Sequence, residues 1–391
     1  MSSICKSFNF VHSTRRIVFC RNAGDKLAEL AREFAVRRAA VVMDVFFENS
    51  ALASHVSGLL RQATGAQPAF HFAPACEPDT DTIEACRDAL AAVDPDFVVV
   101  IGGGSAMDTA KVARLLLANP GSAESVSGRG RIFKAHASLL VAVPTTAGTG
   151  SEVSESAVAG RAGSDIKLIF RSQEMTPHIA LLDSSLCLTA PPGVTATAGY
   201  DAVTHAVEAY ISKAASVMSD PFAESALHLL GKWLPVAYRE SANEDARDWC
   251  LVASCQAAIA FNSANLGLAH ALAAPLGALH HVPHGLGNAL ALPAVTAFNE
   301  PTMGAKAAVI ARAFGTSTAA GGVARLRWLL DLDKSLDAFV KTDEAREQLA
   351  LSAMKSAQVQ MNPRLASLDD MRAIVQAMRQ TTGGAAHPFN I

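Results

Sequence analysis

The chain has 391 residues, half of them hydrophobic and 18% charged, which is too long for one ordinary core and too apolar for a disordered polymer. Its 33 Lys and Arg against 36 Asp and Glu leave a net charge of −3, with no basic excess to hold nucleic acid through its phosphates or to draw the chain to an anionic membrane. Cys5, Cys20, Cys76, Cys86, Cys187, Cys250 and Cys255 form no CxxC pair and read as reduced thiols of a cytoplasmic protein, and no run reaches the roughly 18 apolar residues of a membrane span.

Residues 1–24 carry Arg and Ser with no acid before Asp25, the composition of a targeting segment. The preferred reading is folded: 7–11 and 16–20 as two short strands joined by a turn. β-Branched runs at 39–43, 97–101, 139–143 and 179–182 then alternate with helical patterns at 25–34, 50–65, 80–93 and 106–118. Such alternation predicts an α/β domain over 1–188, a parallel sheet with helices on both faces. Pro191–Gly193 marks a hinge, and beyond it strands vanish. Helical patterns cover 195–212, 219–239, 243–262, 265–278, 302–314, 321–330, 343–357 and 367–381, an all-α domain over 189–391. Between them, 266–295 is apolar but broken by His270, His280, His281, His284, prolines and glycines. A cleft between two such domains is an expected place for a small-molecule site.

Gly102, Gly103, Gly104 and Ser105 follow the strand at 97–101 and precede a helix expected to open at Ala106. Glycines allow backbone N–H groups to approach an anion, and a helix N-terminus adds partial positive charge. This is either a pyrophosphate cradle or a plain tight turn; Met107 stands where the last glycine of GxGxxG would be. Asp108 and Lys111 read as a surface pair or as part of the longer string GGGSAMDTAK. A second loop, PTTAGTGSE at 144–152, follows the next strand and suits a polar ligand. Asp44 ends its strand where a carboxylate can hold a ribose and repel a 2′-phosphate.

Asp201 and His205 stand at i and i+4, on one face of a helix. His270 and His284 follow on Ala-rich segments. One carboxylate and three imidazoles suit Fe(II) or Zn(II) better than Ca(II) or Mg(II).

GGGSAMDTAK, PTTAGTGSE, GYDAVTHAVEAY and AHALAAPLGALHHVPHGLGNALALP, in that order, resemble the iron-containing (group III) alcohol dehydrogenase family over nearly the whole chain. The resemblance implies a Rossmann-like N-terminal domain and a helical C-terminal domain, the dehydroquinate-synthase-like fold. It also implies NAD(P)(H)-dependent interconversion of a small alcohol and its aldehyde or ketone, and assembly as a homodimer. It puts the metal on Asp201, His205, His270 and His284, and the pyrophosphate on Gly102, Gly103, Gly104 and Ser105 with Asp108 beside them. Thr145, Thr146 and Thr149 match the second cofactor loop, Lys167 a lysine near the ribose, and Asp44 the position favouring NAD over NADP. One departure is Ala274, where relatives often carry a proton-relaying histidine; His280 or His281 is the candidate replacement.

The expected chemistry is hydride transfer, with the ion as Lewis acid on the substrate oxygen. Rivals on the same fold are a maleylacetate-reductase-like activity and a hydroxyacid–oxoacid transhydrogenase that recycles a bound nucleotide.

Overall fold

A computed structural model of the chain describes residues 8–74, 77–128, 130–164 and 166–381. The chain divides into two compact units, His12–Thr189 and the residues from Ala190 onward together with those before His12.

In the first unit the chain runs through β1 (Arg16–Phe19), α1 (Ala23–Glu33), β2 (Ala39–Asp44), α2 (Ala51–Thr64), β3 (Ala69–Ala73), α3 (Thr80–Ala91), β4 (Phe97–Gly102) and α4 (Gly104–Ala118). It continues through β5 (Leu139–Pro144), β6 (Ser156–Gly160), β7 (Lys167–Arg171) and β8 (Ile179–Leu182). Six strands form a parallel sheet in the order β1-β8-β5-β4-β2-β3. Every residue of β4 is buried, as expected of a parallel strand covered on both faces. Its side chains divide by the two-residue period. Phe97, Val99 and Ile101 join Leu27, Leu30, Val56 and Leu60 of α1 and α2. Val98 and Val100 face Cys86 and Leu90 of α3 and Ala106, Ala110 and Ala113 of α4. With β2 and β3 on one side of β4 and β5, β8 and β1 on the other, the carboxyl end of β4 is the switch point where ligands of such sheets bind.

The expected strands at 39–43, 97–101, 139–143 and 179–182 all form, the first three one residue longer. Residues 8–11 are not a strand, and Ser7 lies outside the described residues. Their partners belong to the helical unit: Val11 N–H donates to Ser263 Oγ at 2.7 Å, and Phe10 stacks on Phe222. Unforeseen are β3 and the antiparallel β6–β7 hairpin. Both hairpin strands alternate buried and exposed residues.

The second unit comprises α5 (Pro192–Ile211), α6 (Asp220–Arg239), α7 (Glu244–Ala264), α8 (Leu268–His280), α9 (His284–Asn299), α10 (Ala305–Ala313), α11 (Ala319–Leu329), α12 (Asp343–Ala353) and α13 (Leu368–Ala377). Here α5 packs on α6, α7 and α9, and α8 on α9. The expected helix at 343–357 stops at Ala353, and a short 3₁₀ turn follows at Ala357–Met361. Helix α9 was not foreseen, because Gly285, Gly287 and Pro293 weaken the pattern. Pro293 cannot donate to the Ala289 carbonyl one turn back; Arg327 Nη1 takes that acceptor instead, at 3.5 Å.

No single helix among the described residues is long and apolar enough to cross a membrane; α7 and α8 pass that test only jointly and bend by 103° at their junction. Cys20, Cys86 and Cys250 are free thiols. Burial pushes Cys86 and Cys250 up to about 12, which leaves them unreactive. Cys5 and Cys76 lie outside the described residues.

Candidate active site

In the α/β unit the glycine turn begins earlier than its sequence suggests. Gly102 is the last residue of β4, Gly103 the N-cap, and Gly104 the first residue of α4, so the helix opens two residues before Ala106. No side chain caps that N-terminus, which leaves its N–H groups to an anion. Close packing explains the glycines. A methyl at Gly102 would stand 2.6 Å from Ala106 Cβ, and one at Gly104 would stand 2.7 Å from Thr149 Cγ2. Gly103 faces Thr146 Oγ1, and Thr145 N–H donates to the Gly102 carbonyl at 3.1 Å. The two sequence-predicted loops are thus one surface. Asp44 joins it, because its Cβ would lie 3.4 Å from a methyl on Gly102. The Asp44 Oδ1 atom accepts from Phe46 N–H at 2.9 Å, which fixes the carboxylate at the strand end.

Asp108 and Lys111 are not a surface pair. Lys111 is wholly buried, and its ammonium donates to Ser151 Oγ, Ser154 Oγ and the carbonyls of Ser151 and Ser156. Burial pulls it down to about 8 against the pull of Asp108 and Glu152. Asp108 accepts from Ser151 Oγ at 2.7 Å and Val158 N–H at 2.9 Å, so its carboxylate braces the second loop against β6. Burial raises it, with Lys111 opposing. Lys167 opens β7 and pairs with Glu77, whose charge also reaches Asp108 on α4 and raises it.

In the helical unit Asp201 and His205 lie on α5, His270 on α8, and His284 is the first residue of α9. Asp201, His270 and His284 each offer a donor atom within 4.8 Å of the others. Asp201 Oδ1 is 3.5 Å from both His270 Nε2 and His284 Nε2, and 3.7 Å from His205 Nε2. The His205 ring stacks on His270 at 4.8 Å, and its Nδ1 is buried without a hydrogen-bond partner. Asp201, His205 and His270 are buried, whereas the His284 side chain is 53% exposed. Burial alone would raise Asp201, but His205, His284 and His270 together hold it well below the usual carboxylate range. Burial lowers His205 to about 4. The same burial opposes charge on His270, yet its hydrogen bonds to Asp201 and Glu208 outweigh it and bring the ring to about 9. A buried carboxylate kept ionised among three imidazoles is a donor set that fits a divalent ion of the iron or zinc kind.

Two residues of this cluster were missed. Glu208 is buried on α5; its Oε2 meets His270 Nδ1 at 2.6 Å, and its Oε1 accepts from Ala269 N–H at 2.6 Å. That contact places a proton on Nδ1 and leaves Nε2 facing Asp201. Its signal was the spacing, seven residues after Asp201 and three after His205, on the same helix face. Asn288 is the second, four residues after His284. Close packing again brings the ligands together: a methyl at Gly285 would stand 2.2 Å from the Thr197 carbonyl oxygen on α5. His280 ends α8 with Nε2 buried and unpartnered, and His281 is its exposed left-handed C-cap (φ 53°). Ala274 is exposed on the same helix.

A Rossmann-like α/β unit followed by a helical unit is the architecture of the dehydrogenases that this chain resembles. The solved 1,3-propanediol oxidoreductase matches 95% of this chain and 100% of its own with a TM-score of 0.89 at 29% identity. Sulfoacetaldehyde reductase from Bifidobacterium kashiwanohense, solved in complex with NAD+, matches 96% and 100% with a TM-score of 0.89 at 26% identity. NAD-dependent methanol dehydrogenase of Bacillus methanolicus is 31% identical over 92% of this chain and 97% of its own length. The family described as iron-containing alcohol dehydrogenase matches residues 14–184, and its C-terminal counterpart matches 195–379. The chain belongs to the iron-containing alcohol dehydrogenase family, and its chemistry is the interconversion of alcohols with aldehydes or ketones.

Proposed function

We propose that the chain transfers hydride between NAD(H) and a small alcohol or its carbonyl partner, with iron or zinc held by Asp201, His205, His270 and His284. The observation that carries this is the approach of two imidazole Nε2 atoms to within 3.5 Å of one carboxylate oxygen, from three different helices. When bound, the ion supplies Lewis acidity at the substrate oxygen and the nicotinamide carries the hydride. The chain supplies position. Gly102, Gly103, Gly104 and Ser105 receive the pyrophosphate at the open end of α4, with Thr145, Thr146 and Thr149 beside them. Asp44 accepts from a ribose and repels a 2′-phosphate, which favours NAD(H) over NADP(H). Asp108 acts through the loop it braces, and Lys167 through the β7 end it holds near Glu77. His280 or His281 serves as proton relay in place of the histidine absent at Ala274. The relatives named for NAD support the cofactor, and their substrates are small alcohols or aldehydes.

The assembly belongs to the same proposal: β1 is an edge strand with Ile17 and Phe19 exposed, suited to a homodimer contact. The free thiols suit a cytoplasmic setting. The test is NADH and NADPH turnover over a panel of aldehydes and alcohols, before and after metal-free protein is loaded with Fe(II) or Zn(II). Full turnover by chelated protein that holds no metal overturns the reading.

A further inference from the structure

Asn288 is completely buried on α9. Its Nδ2 donates to Asp201 Oδ1 at 2.7 Å and lies 3.2 Å from His270 Nε2 and 3.3 Å from His284 Nε2. The orientation of the amide follows from chemistry. An ionised carboxylate only accepts, so the end of the amide facing Asp201 is the NH2. Its other end, Oδ1, is buried with no hydrogen-bond partner. Leaving that acceptor unsatisfied costs stability, a cost that no apolar side chain in the same space would carry at that end. Packing therefore does not account for the amide.

What the NH2 group does accounts for it. When His270 is neutral, as a metal ligand must be, its one proton sits on Nδ1 against Glu208 and Nε2 presents a bare lone pair. Lone pairs from α5, α8 and α9 then meet at one donor group. We propose that Asn288 is a positioning residue of the metal centre, which gathers Asp201, His270 and His284 about one point and keeps Asp201 oriented once an ion is held. A carboxylate oxygen has a second lone pair and retains the amide bond beside an ion; each imidazole Nε2 has one and releases it. This inference rests on the ligand set proposed above.

The test compares wild type, Asn288→Leu and His284→Ala, each stripped and reloaded with Zn(II) or Co(II). Affinity is read by chelator competition, site geometry by Co(II) visible absorption, and folding by the melting temperature of the metal-free protein. For Asn288→Leu the expected results are affinity about 10–100-fold weaker, moved Co(II) bands, and a lower metal-free melting temperature, since the buried Asp201 carboxylate loses its donor. Unchanged or tighter affinity overturns the proposal, as does weaker affinity with unmoved Co(II) bands. Should Asn288→Leu not fold, Asn288→Ala decides by the same affinity and absorption readouts. Loss of binding in His284→Ala beside an unaffected Asn288→Leu overturns the role of Asn288 alone. Wild-type binding in His284→Ala overturns the ligand set itself.

Discussion

Glu152 ends the loop at 144–152 that is proposed to bind the nucleotide, 2% exposed, with Oε1 buried and unpartnered. Burial raises its carboxyl from 4.5 to about 7, against the weaker pull of Lys111. Between those two values the folded chain holds a proton that the unfolded chain has released, so this residue's contribution to stability falls as pH rises through that window. Glu152→Gln should match wild type near pH 4.5 and exceed it at pH 8, by on the order of a few kcal/mol. Chemical denaturation at the two pH values checks this, and an equal gain at both contradicts it. Asp44→Gly should relax the preference for NADH, chiefly by improving NADPH binding; a wild-type enzyme that already uses NADPH equally well rules out that role. His280 is lowered below its ordinary 6.5 by burial, with His281 adding to the shift. If His280 relays the proton, His280→Ala lowers kcat and removes an ionisation below pH 6.5 while metal content stays full; if His281 does, His281→Ala lowers kcat with metal content full. Unchanged kcat and pH profile in both variants assigns the proton to water.

Helices α5 and α9 meet backbone to backbone at Gly285, the residue after His284. A methyl there must push the two helices apart, because its nearest neighbour is a carbonyl fixed in α5. Gly285→Ala should therefore cost about 1–3 kcal/mol of stability and weaken metal binding, measured by thermal melting and metal analysis. Gly104→Ala should instead weaken NADH binding at least tenfold, read by fluorescence titration, and leave metal content unchanged, because Thr149 must yield to the new methyl. The same helices show what a reader of the sequence can and cannot see. The buried strand β4 is legible because Val-Val-Val-Ile admits few other fates, and Asp201 with His205 because four-residue spacing shares a face. Helix α9 is not, since its glycines and proline lower local propensity while contacts with α5, α8 and Arg327 restore it. Glu208 and Asn288 look like ordinary polar residues until partners distant in sequence reveal that they are buried.

At the scale of the molecule, the residues proposed for the metal all lie in the helical unit, and those proposed for the nucleotide all lie in the α/β unit. His270→Ala should abolish turnover while NADH titration remains close to wild type. Metal binding to the native chain alone stabilises it by RT ln(1 + [L]/Kd), about 4 kcal/mol at a thousandfold excess over Kd. Zn(II) should raise the melting temperature of wild type and leave that of His270→Ala unmoved. A Zn(II) shift of wild-type size in the variant contradicts the assignment.

The tie between Val11 and Ser263 spans 252 positions of the chain. The segment that makes it is translated before the α/β unit, and that whole unit follows before the partner on α7 exists. At about 5–20 residues per second, the ribosome needs on the order of 10–50 seconds to deliver that partner. The parallel sheet can close in that interval, since all its strands lie between Arg16 and Leu182. Phe10 and Val11 then wait beside an already folded neighbour until α6 and α7 emerge. A segment made ahead of the sheet is thus among the last to find its place, held until α5, α6 and α7 are complete.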